Sequence, residues 1–95
     1  MIQTGVAYLG ADMPGWNLNT GTGDRSFRTP DIPFDPPFPA PPKITLALKG
    51  IDSEARLGID VFPDDVEPEE FNIIIKTWSE TVLYNVSVTW IAFDG

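Results

Sequence analysis

The stretch that decides the fold is Thr77-Trp78-Ser79-Glu80-Thr81-Val82-Leu83-Tyr84, and Asn85-Val86-Ser87-Val88-Thr89-Trp90-Ile91-Ala92 follows it directly. The first strand carries a tryptophan into a short polar turn, and a tyrosine opens the last strand. Alternation along the last strand predicts that Trp90 faces the core with its apolar neighbours. Trp78 instead falls on the outward parity of its strand, beside a turn rich in hydroxyl groups.

Other segments show the alternation or the apolar content of β-strands. Lys43–Lys49 and Arg56–Phe62 alternate cleanly, and Phe71–Trp78 has Phe71, Ile73 and Ile75 on one face. Ile2–Leu9 is apolar enough for a strand. Phe27–Phe34 contains two prolines, which places it at a sheet edge because proline cannot donate to a ladder. We expect the loop residues of Gly50–Ala55 to close a hairpin.

Six strands and the absence of any helical period predict an all-β fold, a six-stranded antiparallel β-sandwich. The 95 residues are enough for a single domain covering residues 1–95. A β-domain of this size often needs a disulfide, a metal or oligomerisation for stability. The chain has no cysteine and no histidine, so oligomerisation is the remaining route.

The composition excludes most catalytic chemistry. Without Cys or His there is no thiol nucleophile, no Ser-His pair and no imidazole to transfer protons near neutral pH. We therefore predict that the protein is not an enzyme and holds no cofactor or metal. A net charge of −8 with six basic residues disfavours nucleic acid and anionic membranes as partners.

Two segments, one acidic and one rich in proline, leave other functions open. The carboxylates between Asp64 and Glu70 could bind calcium or act as a glycosidase pair, although a solvated turn explains them more simply. Pro30–Pro42 holds seven prolines in thirteen positions, but no Lys or Arg lies at the offsets that SH3 ligands use. An edge segment leading into the strand at Lys43 is the better interpretation.

Apolar side chains also lie on nominally outward faces of the strands. Ile74, Ile91 and Phe93 share the outward parity, whereas a lone small sandwich should have one wet face. A subunit interface is the simplest explanation for their position.

The N-terminal ten residues lack a basic region and a long apolar core, and no stretch approaches the length of a membrane span. The compartment stays open between the cytoplasm, secretion or cell-surface association without a visible signal peptide, and a mature form that restarts at Met1.

The order of several short motifs resembles the H-type lectin domain, the family of the snail agglutinins and of the discoidin C-terminal domain. The motifs are Gln3-Thr4-Gly5, Gly15-Trp16, Arg28 with Phe34, Pro41-Pro42 before Ile44-Thr45-Leu46-Ala47-Leu48, Gly50-Ile51-Asp52, Arg56, Pro68 to Phe71, Thr77-Trp78-Ser79-Glu80-Thr81 and Trp90-Ile91-Ala92. Each motif alone is weak, but their order and spacing together are specific.

The resemblance implies a homotrimer that binds galactose or N-acetylgalactosamine at subunit junctions, in the manner of cell-adhesion lectins. Carried onto this chain, Trp78 and Tyr84 match the aromatic positions and Arg56 the arginine that donates to sugar hydroxyls. Asp24 is expected to accept hydrogen bonds from the sugar hydroxyls. Ser79 stands where the snail lectins have a histidine that contacts the sugar. A structural trimerisation module, for instance at a fibre tip, whose sugar site is no longer used is the second hypothesis.

Overall fold

The computed structural model describes residues 1–94, so Gly95 of the predicted domain lies outside the described residues. Seven strand segments make up its regular structure. They are β1 (Ile2–Gly10), β2 (Arg25–Arg28), β3 (Ile32–Pro33), β4 (Lys43–Glu54), β5 (Ile59–Asp64), β6 (Glu70–Thr77) and β7 (Val82–Phe93). Within residues 1–94 no helix is long and apolar enough to cross a bilayer.

The strands form two antiparallel sheets. Sheet I has the order β1-β7-β4, with β7 in the centre. In sheet II, β6 is the central strand: β5 pairs with it, and β2 and β3 pair with successive parts of it. Pro30 lies between β2 and β3, so these two pieces correspond to the single interrupted edge strand predicted over Phe27–Phe34. The predicted all-β antiparallel sandwich is thereby confirmed.

Aromatic rings join the two sheets across the core. Phe71 of β6 and Trp90 of β7 meet with ring centroids 5.3 Å apart. Phe34 stacks on Phe71 at 5.2 Å and meets Phe38 edge-on at 4.9 Å. The inward rows expected from parity on β6 and β7 are buried as well: Phe71, Ile73, Ile75, Val86, Val88, Trp90 and Ala92 are all at most 8% exposed. Leu48 of β4, which the alternation of its strand also predicts to face inward, is instead 44% exposed next to a register irregularity. Burial of this apolar area is the main force that holds the sheets together.

The connection between β4 and β5 differs from the prediction. Gly50–Ala55 is not a hairpin loop, because β4 continues to Glu54 along β7. Irregularities in register between Leu48 and Gly50 and between Asp52 and Ser53 let the long ladder continue. The turn follows at Ala55, which has φ of +63°. The alternation of Arg56–Phe62 predicts that Leu57 faces inward with Ile59 and Val61, but Leu57 is 44% exposed and lies outside β5.

The outward apolar residues divide between the two sheets. Ile91 and Phe93 lie on the outer face of sheet I, and Ile74 lies on the outer face of sheet II between Arg28 and Phe62 in the strand register. Sheet I carries the larger exposed apolar area. Its outer face includes Ile2 at 73% exposure, Tyr8 at 70%, Ile91 at 41% and Val6 at 38%. A contiguous exposed apolar patch of this kind marks an interaction surface.

Gly5 of β1 lies directly against the Trp90 ring, and it provides a test of the packing. A Cβ at Gly5 would lie 2.6 Å from the Trp90 ring, so Gly5→Ala must displace this indole. We expect the free energy of unfolding to fall by about 1–3 kcal/mol in urea titrations. Gly50→Ala is the control, since its Cβ would meet only the Ser87 hydroxyl at 3.0 Å. Equal losses from both variants would contradict this packing.

Candidate functional site

A cavity of about 310 Å³ opens where β6 leaves sheet II. Its walls come from the start of β2 and the end of β6. The lining residues are Asp24, Arg25, Ser26, Lys76, Thr77 and Trp78. Ligand pockets in proteins measure roughly 300–1,000 Å³, so this cavity lies at the small end of that range. Two of the residues predicted from sequence, Asp24 and Trp78, are thus brought together by the fold.

The Trp78 indole rests on the backbone of Gly58 from the neighbouring strand connection. A Cβ at Gly58 would lie 2.4 Å from Trp78 Nε1, so only glycine leaves room for the ring. The indole nevertheless remains 43% exposed. One side of the ring system is therefore supported by protein, and the remainder is available to a ligand or to a neighbouring molecule.

The hydroxyl of Thr81 fixes Gly58 in this position. Thr81 is fully buried, and its Oγ1 accepts a hydrogen bond from the Gly58 N–H at 2.7 Å. The same oxygen donates to the carbonyl of Arg56 at 2.8 Å. The turn after β6 and the segment before β5 are consequently held against each other, and the support under Trp78 depends on this pair of bonds.

Arg25 holds the loop that carries Asp24. Its guanidinium donates to four backbone carbonyls: Gly23 at 3.1 Å, Leu18 at 3.4 Å, Thr20 at 2.9 Å and Ser79 at 3.2 Å. The Gly23 N–H also donates to the Ser79 carbonyl at 2.8 Å. These bonds join the Asp24 loop to the turn that follows Trp78. Arg25 therefore positions the cavity wall, and four of its five N–H donors are used within the protein.

Ser79 and Arg56 lie beside the cavity without lining it. Ser79 adopts φ of +57°, an uncommon conformation for a non-glycine residue, and contributes its carbonyl to the loop contacts described above. Arg56 is exposed in the turn between β4 and β5, where its carbonyl accepts from Thr81. Both residues are within the turn region that surrounds Trp78. Of the five positions predicted to bind sugar, all of which the structure describes, Asp24 and Trp78 line the cavity and the other three do not.

Tyr84 lies apart from these residues, at the start of β7 beside the end of β4. Its ring is half-buried, and burial raises the pKa of its hydroxyl, with the carboxylates of Glu54 and Asp52 adding to the increase. The phenol is therefore neutral at physiological pH and can both donate and accept a hydrogen bond. Within one copy of the chain, Tyr84 does not line the cavity that holds Trp78.

The model of the H-type lectin domain matches residues 29–93 of the chain. The chain belongs to the H-type lectin domain family. A protein of Fuscovulum blasticum, named ATP synthase subunits region ORF 7, is 31% identical over 97 residues that cover 99% of this chain and 84% of the relative. Because a lectin domain is a carbohydrate-binding domain, family membership supports carbohydrate binding in general.

Solved structures share the fold of this H-type lectin domain. Recombinant discoidin II of Dictyostelium discoideum superposes with a TM-score of 0.79 at 18% identity, covering 96% of this chain and 36% of discoidin II. The wild-type discoidin II structure gives a TM-score of 0.81, also at 18% identity, covering 99% of this chain and 37% of the other. The chain thus spans little more than a third of these structures.

Several residues that shape the site were not predicted from sequence. Gly58 carried a usable signal, because a glycine inside an apparent strand often marks a close approach of another group. Arg25 and Thr81 carried none, since their roles depend on backbone groups distant in sequence.

Two carboxylates of the acidic segment between Asp64 and Glu70 have partners within the protein: Asp64 and Asp65 form ion pairs with Arg28. Among residues 1–94 no cluster of acidic side chains is arranged to hold a metal ion.

Thr81→Val tests the link that supports Trp78. The substitution keeps the side-chain volume but leaves the buried Gly58 N–H without its acceptor, so we expect a loss of about 1–3 kcal/mol in the free energy of unfolding. Thr81→Ser is the control, because it keeps the hydroxyl and removes one methyl group worth about 0.8 kcal/mol. Chemical denaturation followed by tryptophan fluorescence measures both. A serine variant as unstable as the valine variant would contradict the role of the hydroxyl.

Proposed function

We propose that this H-type lectin domain binds galactose-type sugars, galactose or N-acetylgalactosamine, in the cavity between Asp24 and Trp78. The observation that carries the proposal is the pairing of an exposed carboxylate with a supported, 43% exposed indole in one cavity. A carboxylate accepts hydrogen bonds from neighbouring sugar hydroxyls, and an indole packs against the C–H face of a sugar ring. The galactose-type preference rests on the family resemblance. The domain acts in this proposal as a binding module and not as an enzyme.

Homotrimerisation through the outer face of sheet I is the second part of the proposal. The exposed apolar side chains of Ile2, Val6, Tyr8 and Ile91 support it, since burial of such side chains against another copy removes them from water. Contacts between copies also give a role to Tyr84 and Arg56. Both residues lie outside the cavity of their own chain, and at a subunit junction they extend the cavity of a neighbour.

Three linked sites on one trimer would raise the overall affinity for a glycan-covered surface by far more than threefold. A small, open cavity binds a single sugar weakly, on the order of millimolar to tens of micromolar. Linked sites that engage one glycan-covered surface raise the overall affinity without any new contact. This multivalent arrangement is what adhesion to a glycan-bearing surface requires.

Replacing Trp78 tests the sugar site. Trp78→Ala removes the apolar platform, and we expect the affinity for N-acetylgalactosamine to fall at least about tenfold, equivalent to about 1.4 kcal/mol. Isothermal titration calorimetry measures the change. Glu80→Ala is the matched control, because Glu80 is exposed on the same turn but does not line the cavity. Unchanged affinity in the Trp78 variant would contradict the stacking role.

The sugar assignment itself has a separate test. A glycan array and calorimetry with galactose-type sugars should both give binding to the unmodified protein. If neither method detected binding while the protein formed trimers, the sugar assignment would fail. A purely structural trimerisation module would then be the remaining explanation.

Replacing Ile91 tests the assembly. Ile91 lies on the central strand of sheet I, and Ile91→Glu would place a charge inside the proposed interface. We expect light scattering to give a trimer for the unmodified protein and a 10.5 kDa monomer for the variant. Leu57→Glu is the control, since Leu57 has a similar exposure of 44% but lies outside both sheets. A monomeric unmodified protein would rule out the trimer.

A further inference from the structure

The outer face of sheet II continues beyond the cavity as rows of side chains across three strands. Lys76 of β6 pairs with Ser26 of β2 on one side and with Asp60 of β5 on the other. Trp78 lies two residues further along the chain, one residue beyond the end of β6, and two residues of extended backbone span about 7 Å. The row of Lys76 is therefore the next row after the one that holds Trp78.

The cavity spans both rows. All four of Asp24, Ser26, Lys76 and Trp78 line it, and in the β2–β6 register Ser26 pairs with Lys76, while Asp24 and Trp78 lie just beyond the Arg25–Thr77 pair. All four side chains are exposed, so a ligand seated on Trp78 reaches Lys76 without any movement of the backbone. The separation of the two rows is comparable to the separation between neighbouring rings of a glycan.

Of the two basic residues that line the cavity, Lys76 has more donors to spare than Arg25. Arg25 uses its guanidinium on backbone carbonyls, and Arg28 forms ion pairs with Asp64 and Asp65. Within residues 1–94 the Lys76 ammonium forms no ion pair, and it lies over the Phe62 ring at 5.5 Å. A lysine ammonium has three N–H donors, and contact with a ring face leaves donors for a ligand.

We propose that Ser26 and Lys76 form a second sugar subsite, so that the ligand of this domain is a disaccharide or a longer glycan. The terminal galactose-type ring lies against Trp78 and Asp24, and the next ring lies over Lys76, which donates to its hydroxyl or ring oxygens. This inference rests on the proposed sugar site. The ligand is neutral, because Asp24 and Asp60 balance the positive charges of Arg25 and Lys76 around the cavity, and the net charge of −8 disfavours an anionic glycan.

The test compares one monosaccharide with disaccharides that carry it at the non-reducing end. The probes are methyl galactoside, methyl N-acetylgalactosaminide and their α1-3, β1-3 and β1-4 disaccharides, titrated by calorimetry into the full chain. We expect at least one disaccharide to bind about tenfold more tightly than its monosaccharide. In Lys76→Met this ratio of affinities should fall to about one.

Arg28→Met is the matched control. It removes one positive charge from the same outer face, one row beyond Lys76 and outside the cavity, so the affinity ratio should be retained. A ratio near one for every disaccharide with the unmodified protein would overturn the second subsite, and so would a ratio that survives in Lys76→Met. If monosaccharides bind while the ratio is one, only the subsite fails. If no sugar binds, the proposed function fails together with it.

Discussion

The site depends on the hydroxyl of one buried threonine. Thr81 stands in the turn that connects β6 to β7, the central strands of the two sheets, and its Oγ1 bonds both Gly58 and Arg56. The aromatic packing of Phe71 against Trp90 fixes how the two central strands face each other. The hydrogen bond from its N–H to Thr81 then holds Gly58 against the Trp78 indole. An exposed tryptophan is thereby given a fixed orientation, which reduces the entropy lost when a ligand binds.

Strand parity predicted the parts of the fold that depend on local alternation. The buried rows on β6 and β7 and the outward position of Trp78 all follow from a period of two. Parity could not predict where β4 ends, because the ladder with β7 passes through two irregularities that shift the faces. The exposure of Leu57 also follows from where β4 ends. Its alternation with Ile59 is that of a strand, but the turn at Ala55 leaves it outside the sheet.

The candidate site was predictable in its chemistry and less so in its geometry. Trp78 was identified from its outward parity and from the family resemblance, Asp24 from the resemblance alone, and the fold places both in one cavity. Arg25 and Ser26 follow Asp24 in sequence, but their positions depend on the register of β2 against β6, which no local pattern encodes. Tyr84 shows the converse. It belongs to the predicted set but lies elsewhere in a single chain, so its part in binding depends on the proposed assembly.

The most direct test of the central claim uses the indole N–H signals of the three tryptophans in a ¹H–¹⁵N spectrum during titration with N-acetylgalactosamine. Trp78 is exposed in the cavity, whereas Trp90 is 8% exposed and Trp16 donates its Nε1 hydrogen to the Leu83 carbonyl at 3.0 Å. The Trp78 signal should shift progressively to saturation while the other two signals stay in place. A titration in which calorimetry detects binding but the Trp78 signal does not move would contradict the assignment of the sugar site.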